Sequence, residues 1–305
     1  MEKTNIIINI NDEYVFPAIV MLTSFHYNNK TSKSRVLVLH RGLKNASISL
    51  ITNKIGNYFD LSFINTLDDL HINVFLSGHI STEAYLRIFA YKYYDPEISR
   101  AIYIDSDIII NGSLERFYNM DFEDTYLIAC EDRVISKKNR KVYDSIGLPY
   151  SNRYFNSGIM VMNIEKMKKT KDIELKLVSY IEKIGNKAGY HDQDILNGFY
   201  TDNCKIIDSK NYNLLVTDIT SNYQAQKRKK SSAVFHFADR WKPWKNDYIG
   251  YLSDEFWKYA VYAGFVEEYG VFLKENKKWN TYLNRCVLNY KRRIKNIISI
   301  KWSVK

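Results

Sequence analysis

Asp105-Ser106-Asp107 sets two carboxylates two residues apart at the end of an apolar run, Ala101-Ile-Tyr-Ile104. Side chains at that spacing project to one side of an extended chain and can share a divalent cation. Such a cation neutralises a diphosphate and helps it leave. The same spacing recurs in Asp192-Gln193-Asp194, which opens a helical stretch, so one of these two Asp residues is expected to cap it. By itself either pair fits a capped loop as well as a cation site. His236 closes another short apolar run, Ala233-Val-Phe235, and begins a block that ends at Trp244. Imidazole beside carboxylates suits Mn2+ better than Mg2+. In the same block Lys242 is available for a phosphate, and Trp241 and Trp244 for an aromatic wall.

The elements that must position these residues alternate. Ile6 to Ile10 reads as a buried strand, Pro17 to Tyr27 as a helix, Val36 to Leu39 as a strand and Ile48 to Ile55 as a helix. Leu61 to Ile64 is a third strand. Thr82 to Tyr93 is helical and stops before Asp95-Pro96. Ala101 to Ile104 is the fourth strand and runs into Asp105. This alternation predicts a mostly parallel sheet covered on both faces. Ligands of open α/β sheets bind beyond the carboxyl ends of the strands, where Asp105 and Asp107 lie. Further on, Leu127 to Cys130 and Val234-Phe235 read as strands, Ile173 to Ile184 and the segment from Asp192 as helices, and Gln226 to Lys230 as a basic, solvated loop. After Trp244 the pattern turns helical.

The chain has 305 residues, enough for one α/β domain with an appendage. The aromatic share of 15% suggests surfaces that stack on sugar-like rings, or a bias of composition. Cys130, Cys204 and Cys286 are odd in number and widely spaced, which suits packed thiols in a reducing compartment. The N-terminus lacks the features of a signal peptide and no apolar run is long enough to span a membrane, so a cytoplasmic protein is expected. Ten of the Lys and Arg residues fall at 274–305 against Glu275 alone, which gives this tail +9 of the net +10. Leu283, Val287, Tyr290, Ile294 and Ile297 form a helical stripe there, with Trp279 and Trp302 at its flanks. The segment 279–302 reads equally as a helix packed on the body of the chain or as an interfacial helix on the anionic inner face of the plasma membrane. Nucleic acid fits less well, because the body has no basic face or recognition motif.

Several motifs, taken in order, resemble the bacterial family 8 glycosyltransferases, similar to lipooligosaccharide galactosyl- and glucosyltransferases. They are Asn11-Asp12-Glu13-Tyr14 after the first strand, Tyr85-Leu-Arg87, Ile102-Tyr-Ile-Asp-Ser-Asp107 with Asn111-Gly112-Ser-Leu114, Tyr154-Phe-Asn-Ser-Gly158 with Asn163, Asp192-Gln-Asp-Ile-Leu-Asn197, and the His236 to Trp244 block. The resemblance covers about residues 5 to 245. It implies a GT-A nucleotide-diphosphosugar transferase fold, a single Rossmann-like mixed sheet flanked by helices, over 1–245, with a helical extension over 246–305. It also implies a UDP-hexose donor, Mn2+ (or Mg2+), retention of configuration, and a glycan, glycolipid or glycoprotein acceptor. Carried onto this chain, Asp105, Asp107 and His236 would bind the metal, and Asn9, Ile10, Asn11, Asp12 and Tyr14 the uridine. Ser106 would line the nucleotide and Lys242 would meet the diphosphate. Arg87, Asn156, Asp192 and Gln193 would surround the donor sugar, with Gln193 near the anomeric carbon and Gln193 and Asp192 as the catalytic residues. A glutamine amide is a poor nucleophile, which favours attack from the leaving-group face. Asn11 and Asp239 depart from the family's usual Asp and Gly, which puts one uracil contact and the path of the Lys242 loop in question. The rival readings are a sugar-nucleotide-binding pseudoenzyme, a nucleic-acid-binding protein acting through the tail, and a hydrolase that releases the sugar to water.

Overall fold

The computed structural model describes residues 3–29, 34–67, 82–133, 135, 140–184, 187–245, 248 and 250–276. The helical stripe over 279–302 and Cys286 lie outside the described residues. The strands are β1 (Asn5–Asn9), β2 (Ser34–His40), β3 (Phe59–Asn65), β4 (Arg100–Ile104), β5 (Ile108–Ile110), β6 (Leu127–Glu131), β7 (Phe155–Asn163), β8 (Cys204–Ile207), β9 (Leu214–Leu215) and β10 (Val234–His236). The helices used below are α1 (Val15–Asn28), α2 (Asn45–Ile55), α3 (Asp192–Phe199), α4 (Asn222–Ser231), α5 (Ser253–Tyr262) and α6 (Val266–Asn276). Thr82–Tyr93 forms a run of 3-10 turns.

Seven strands form the main sheet in the order β3-β2-β1-β4-β7-β6-β8. β7 is antiparallel to both its neighbours, β4 and β6, and the other pairs are parallel. The sheet is therefore mixed. Successive strand residues face opposite sides, so the unbroken apolar runs feed two cores. Ile6, Ile8, Val36, Val38, Ile102 and Ile104 enter one, and Ile7, Leu37, Leu39, Ala101 and Tyr103 enter the other. Each fully buried Ile contributes about 1.5–3 kcal/mol. Ile6, Ile7 and Ile8 are all completely buried, so disruption of β1 would open both cores.

α1 explains its own burial. Ten of its fourteen residues are buried, and Pro17 falls in the first turn, where its missing N–H has no acceptor to lose. Asn28 Nδ2 reaches Ile110 O at 2.9 Å and Tyr259 Oη at 2.7 Å, which ties α1 to β5 and to α5. Phe256, Trp257 and Tyr259 of α5, and Phe265 between α5 and α6, join the core that holds Ile6 and Ile8.

A basic segment differs from the sequence reading. Gln226 to Lys230 is not a loop but lies inside α4, of which Ala225 is the buried residue. Lys and Arg are good helix formers, and a helix with no apolar stripe leaves no periodic signal. Its start was legible: Ser221 Oγ accepts from Gln224 N, and Gln224 Oε1 accepts from Thr220 N, a reciprocal cap. Lys229 Nζ lies 3.0 Å from Glu255, so one of these cations fastens α4 to α5. Cys130 and Cys204 are free thiols, as their spacing suggests.

Candidate metal centre

Asp105 stands where β4 ends, and its N–H donates to Gly158 O at 2.8 Å. The chain then turns through Ser106 and leaves the large sheet. It continues as β5 in a three-stranded sheet, β5-β10-β9, with Ile108 opposite His236. Phe237 N donates to Asp107 O at 3.0 Å, which completes the junction. This change of sheet brings Asp105, Asp107 and His236 together, with one ligand atom from each within 4.8 Å of the others. His236 Nε2 is 3.3 Å from Asp107 Oδ1 and 4.0 Å from Asp105 Oδ2.

The two oxygens of Asp107 are used differently. Oδ2 accepts from Lys242 Nζ at 2.6 Å, and Lys242 also donates to Phe237 O at 2.8 Å. Oδ1 is enclosed without a hydrogen bond of good geometry. An enclosed carboxylate oxygen without a donor is costly, and this one faces the imidazole nitrogen. Two carboxylates and an imidazole are a donor set that divalent cations accept. Burial by itself would push Asp107 up. Lys242 beside it is the largest of the opposing influences, and the carboxyl lies below the usual carboxylate range. Lys242 in turn, despite its burial, is raised by Asp107.

A second network closes the other side. Arg87 is buried. Its guanidinium lies 3.0 Å from Asp105 Oδ1 and 3.1 Å from Asp192 Oδ2, and it donates to Ser157 O and Oγ at 3.2 Å each. Burial pushes Asp192 up to about 6, with Arg87 opposing and Asp105 adding to the rise. Gln193 Oε1 accepts from Ser157 N at 3.0 Å. Neither Asp caps the helix as the motif suggested: His191 is the N-cap, with no side-chain cap hydrogen bond, and Asp194 in the first turn instead reaches back to accept from Tyr190 N at 2.8 Å and from Tyr154 Oη at 2.6 Å. Asp192 is left to meet Arg87.

The first loop is partly committed to structure. Ile10 is buried and its N–H donates to Leu39 O. Asn11 accepts from Glu13 N at 3.1 Å and caps a short 3-10 turn. Asp12 accepts from Ser47 Oγ at 2.6 Å, which lowers its pKa and pins the start of α2. Asn9 meets the Tyr103 hydroxyl, which also lies 2.7 Å from Asp105 Oδ1. Tyr14 is half-buried and sits edge-on to Trp244 at 6.2 Å, while Trp244 packs on Phe256 at 5.1 Å. Ser106 Oγ is enclosed and without a hydrogen-bond partner among the described residues. Asp239 accepts from Arg240 N, so the departure at this position is absorbed locally. Trp241 borders a small hollow with Val216, Thr217 and Phe237.

Other motif residues prove structural. Asn111 Nδ2 meets Lys229 O and Ser232 O at the end of α4, Asn163 caps the helix that follows β7, and Asn197 bonds both backbone groups of Phe155. Four residues of the site carried no assigned role in the sequence: Tyr103, Ser157, Gly158 and Asn213. A Cβ built on Gly158 would lie 2.3 Å from His236 Cε1 and 2.9 Å from Asp105 Oδ2, so only glycine fits there. Tyr103, Ser157 and Gly158 stood inside the motifs. Asn213 stood in none.

A family profile described as Glycosyl transferase family 8 matches residues 5–248. A putative glycosyltransferase of Haemophilus influenzae is 32% identical over 219 residues, which are 71% of this chain and 65% of that protein, so the match spans just under two thirds of that relative's length. A lipopolysaccharide 1,2-glucosyltransferase of Escherichia coli is 25% identical over 268 residues, covering 84% of this chain and 77% of that protein. Among solved structures, the galactosyltransferase LgtC in complex with donor and acceptor sugar analogs superimposes with a TM-score of 0.71 at 22% identity, over 85% of this chain and 95% of that one.

Proposed function

The chain belongs to glycosyl transferase family 8, and from that premise we propose that it transfers a hexose, glucose or galactose, from a UDP-sugar to a glycan or glycoconjugate acceptor, with retention and in the presence of Mn2+. Its fold is the GT-A nucleotide-diphosphosugar transferase fold. The observation that carries the proposal is the convergence of Asp105, Asp107 and His236 at the carboxyl end of β4, with Asp107 Oδ1 left without a donor among the described residues. Held there, a divalent cation would neutralise the donor diphosphate and ease its departure.

The chain's own residues supply the rest. Lys242 sets Asp107 so that Oδ2 is occupied and Oδ1 faces the centre. Arg87, clamped between Asp105 and Asp192, fixes both carboxylates and carries a positive charge that stays on at all working pH values. Asn156, Asp192 and Gln193 are assigned to the donor sugar. Gln193 is a neutral amide whose oxygen already accepts from Ser157 N–H, and it is suited to hold a sugar rather than to form a bond with it. That supports attack by the acceptor from the leaving-group face. Asn9, Ile10, Asn11, Asp12 and Tyr14 are assigned to the uridine, and Ser106, whose hydroxyl has no partner among the described residues, to the nucleotide. The catalytic unit is assigned to 1–245 and the helical extension to 246–305. No helix among the described residues is long and apolar enough to cross a membrane.

UDP release from a panel of UDP-sugars, with and without Mn2+ and with Asp107→Asn as control, tests the proposal. Sugar-selective, Mn2+-dependent release that is lost in the variant is expected. UDP binding that is indifferent to both Mn2+ and the substitution would overturn the metal assignment.

A further inference from the structure

Asn213 lies between β8 and β9, outside every motif, and is 1% exposed. Its side chain touches two residues of the site, and the direction of each contact can be fixed from a backbone group. Gly158 N–H can only donate, so the Asn156 atom that it meets at 3.0 Å is the oxygen, Oδ1. That same oxygen meets the Asn213 side chain at 2.8 Å, so Asn213 presents its Nδ2 there. The other end of the Asn213 amide, Oδ1, is therefore the atom 2.9 Å from His236 Nδ1. An amide oxygen only accepts, so His236 Nδ1 carries the hydrogen.

Two consequences follow at the centre. With the hydrogen on Nδ1, the neutral imidazole has its lone pair on Nε2, the nitrogen that faces Asp107 Oδ1 and Asp105 Oδ2. With Asn156 Oδ1 held by two donors, Asn156 Nδ2 is the end left for a ligand, so Asn156 can donate to a sugar oxygen but not accept from a hydroxyl. We propose that Asn213 is a positioning residue that sets the polarity of both groups: it makes His236 a ligand through Nε2 and Asn156 a donor. Ligating histidines are commonly oriented this way by the partner of their second nitrogen, and loss of that partner lowers metal affinity by roughly 10–100-fold. The inference rests on the metal-centre reading above.

Two variants separate the roles. Asn213→Leu removes both contacts at similar volume. Asn213→Asp keeps an acceptor for His236 Nδ1–H but sets an oxygen against Asn156 Oδ1, which must then turn its amide over. The imidazole tautomer of metal-free protein is read by 15N NMR at a pH where the ring is neutral, and Mn2+ affinity by electron paramagnetic resonance. Wild type is expected to show Nδ1–H. Asn213→Leu should lose the single tautomer and bind Mn2+ roughly 10–100-fold more weakly. Asn213→Asp should keep the tautomer and most of the Mn2+ affinity while raising the KM for the donor more than it lowers kcat. An Nε2–H tautomer in wild type, or wild-type Mn2+ affinity in Asn213→Leu, overturns the proposal. Nδ1–H in wild type with no Mn2+ binding would instead overturn the metal reading and leave the hydrogen-bond assignment standing. Far-ultraviolet circular dichroism and thermal melts of both variants identify a variant that has lost its fold, in which case Asn213→Asp and the wild-type tautomer carry the test.

Discussion

Asp107 and Asp192 face one site from opposite sides, with side chains 12% and 9% exposed. Burial acts on both alike and favours the neutral form. The outcomes still diverge: Asp107 is held below the usual carboxylate range, and Asp192 is pushed up to about 6. The difference lies in how many partners each has. Asp107 has Lys242 at 2.6 Å as a cation of its own. Asp192 shares a single Arg87 with Asp105. Enclosure therefore does not decide whether a carboxylate is charged here, and the ratio of cations to carboxylates does. The side built on the small sheet is kept ionised and ready for a cation. The side built on Arg87 carries an excess of negative charge that one guanidinium cannot fully offset.

The largest test of that contrast exchanges each acid for its amide. Asp107→Asn should lower kcat/KM by about 10²–10⁴-fold, the equivalent of several kcal/mol of lost charge stabilisation, and should weaken Mn2+ binding. Asp192→Asn should leave Mn2+ affinity nearly intact, as measured by titration, and equal losses would erase the distinction. Next in size, Arg87→Met leaves two enclosed carboxylates without their cation. Urea unfolding at pH 7 should show a loss of about 3–5 kcal/mol, and a loss under 1 kcal/mol would mean that Asp105 and Asp192 find other partners.

Gly158→Ala crowds His236 and should cost about 1–3 kcal/mol in stability, read from thermal melts, together with a fall in Mn2+ affinity. Unchanged affinity would show that the ring can move aside. A further test lies in pH. Because its pKa in the folded state is raised, Asp192 stays protonated there between about pH 4 and 6, while in the unfolded chain it is already ionised. Metal-free wild type should therefore lose stability relative to Asp192→Asn as pH rises through that window, by at most about 1.4 kcal/mol per unit. A difference that stays flat or grows in the other direction would refute the raised pKa.

Much of this site could be read from the chain because its residues sit at strand ends in short, typed clusters. The spacing of Asp105 and Asp107 and the polar stop after Ile104 needed no tertiary knowledge. His236 was legible from its company, since a strand end followed by Lys242 and two Trp is an unusual setting for a histidine. Asn213 was not, because an Asn between two short strands looks like any turn residue. Gly158 was visible as part of a motif, but its reason, a ring 2.3 Å from where a Cβ would stand, exists only in the fold. β5, β8 and β9 escaped notice because three, four and two residues are too few for a period to show.

The sequence by itself determined which residues are apolar on which face, where the strands stop, and which side chains carry charge, because each of these depends on neighbours only a few positions away. The tertiary structure decided which stops meet. β7 runs antiparallel, so its first residues, Asn156 to Gly158, lie beside the last residue of β4. β5 leaves the main sheet to pair with β10, which places His236 against Asp107. Pairing between distant strands depends on burial and backbone hydrogen bonds summed over the whole sheet, and no local stretch of sequence contains that sum.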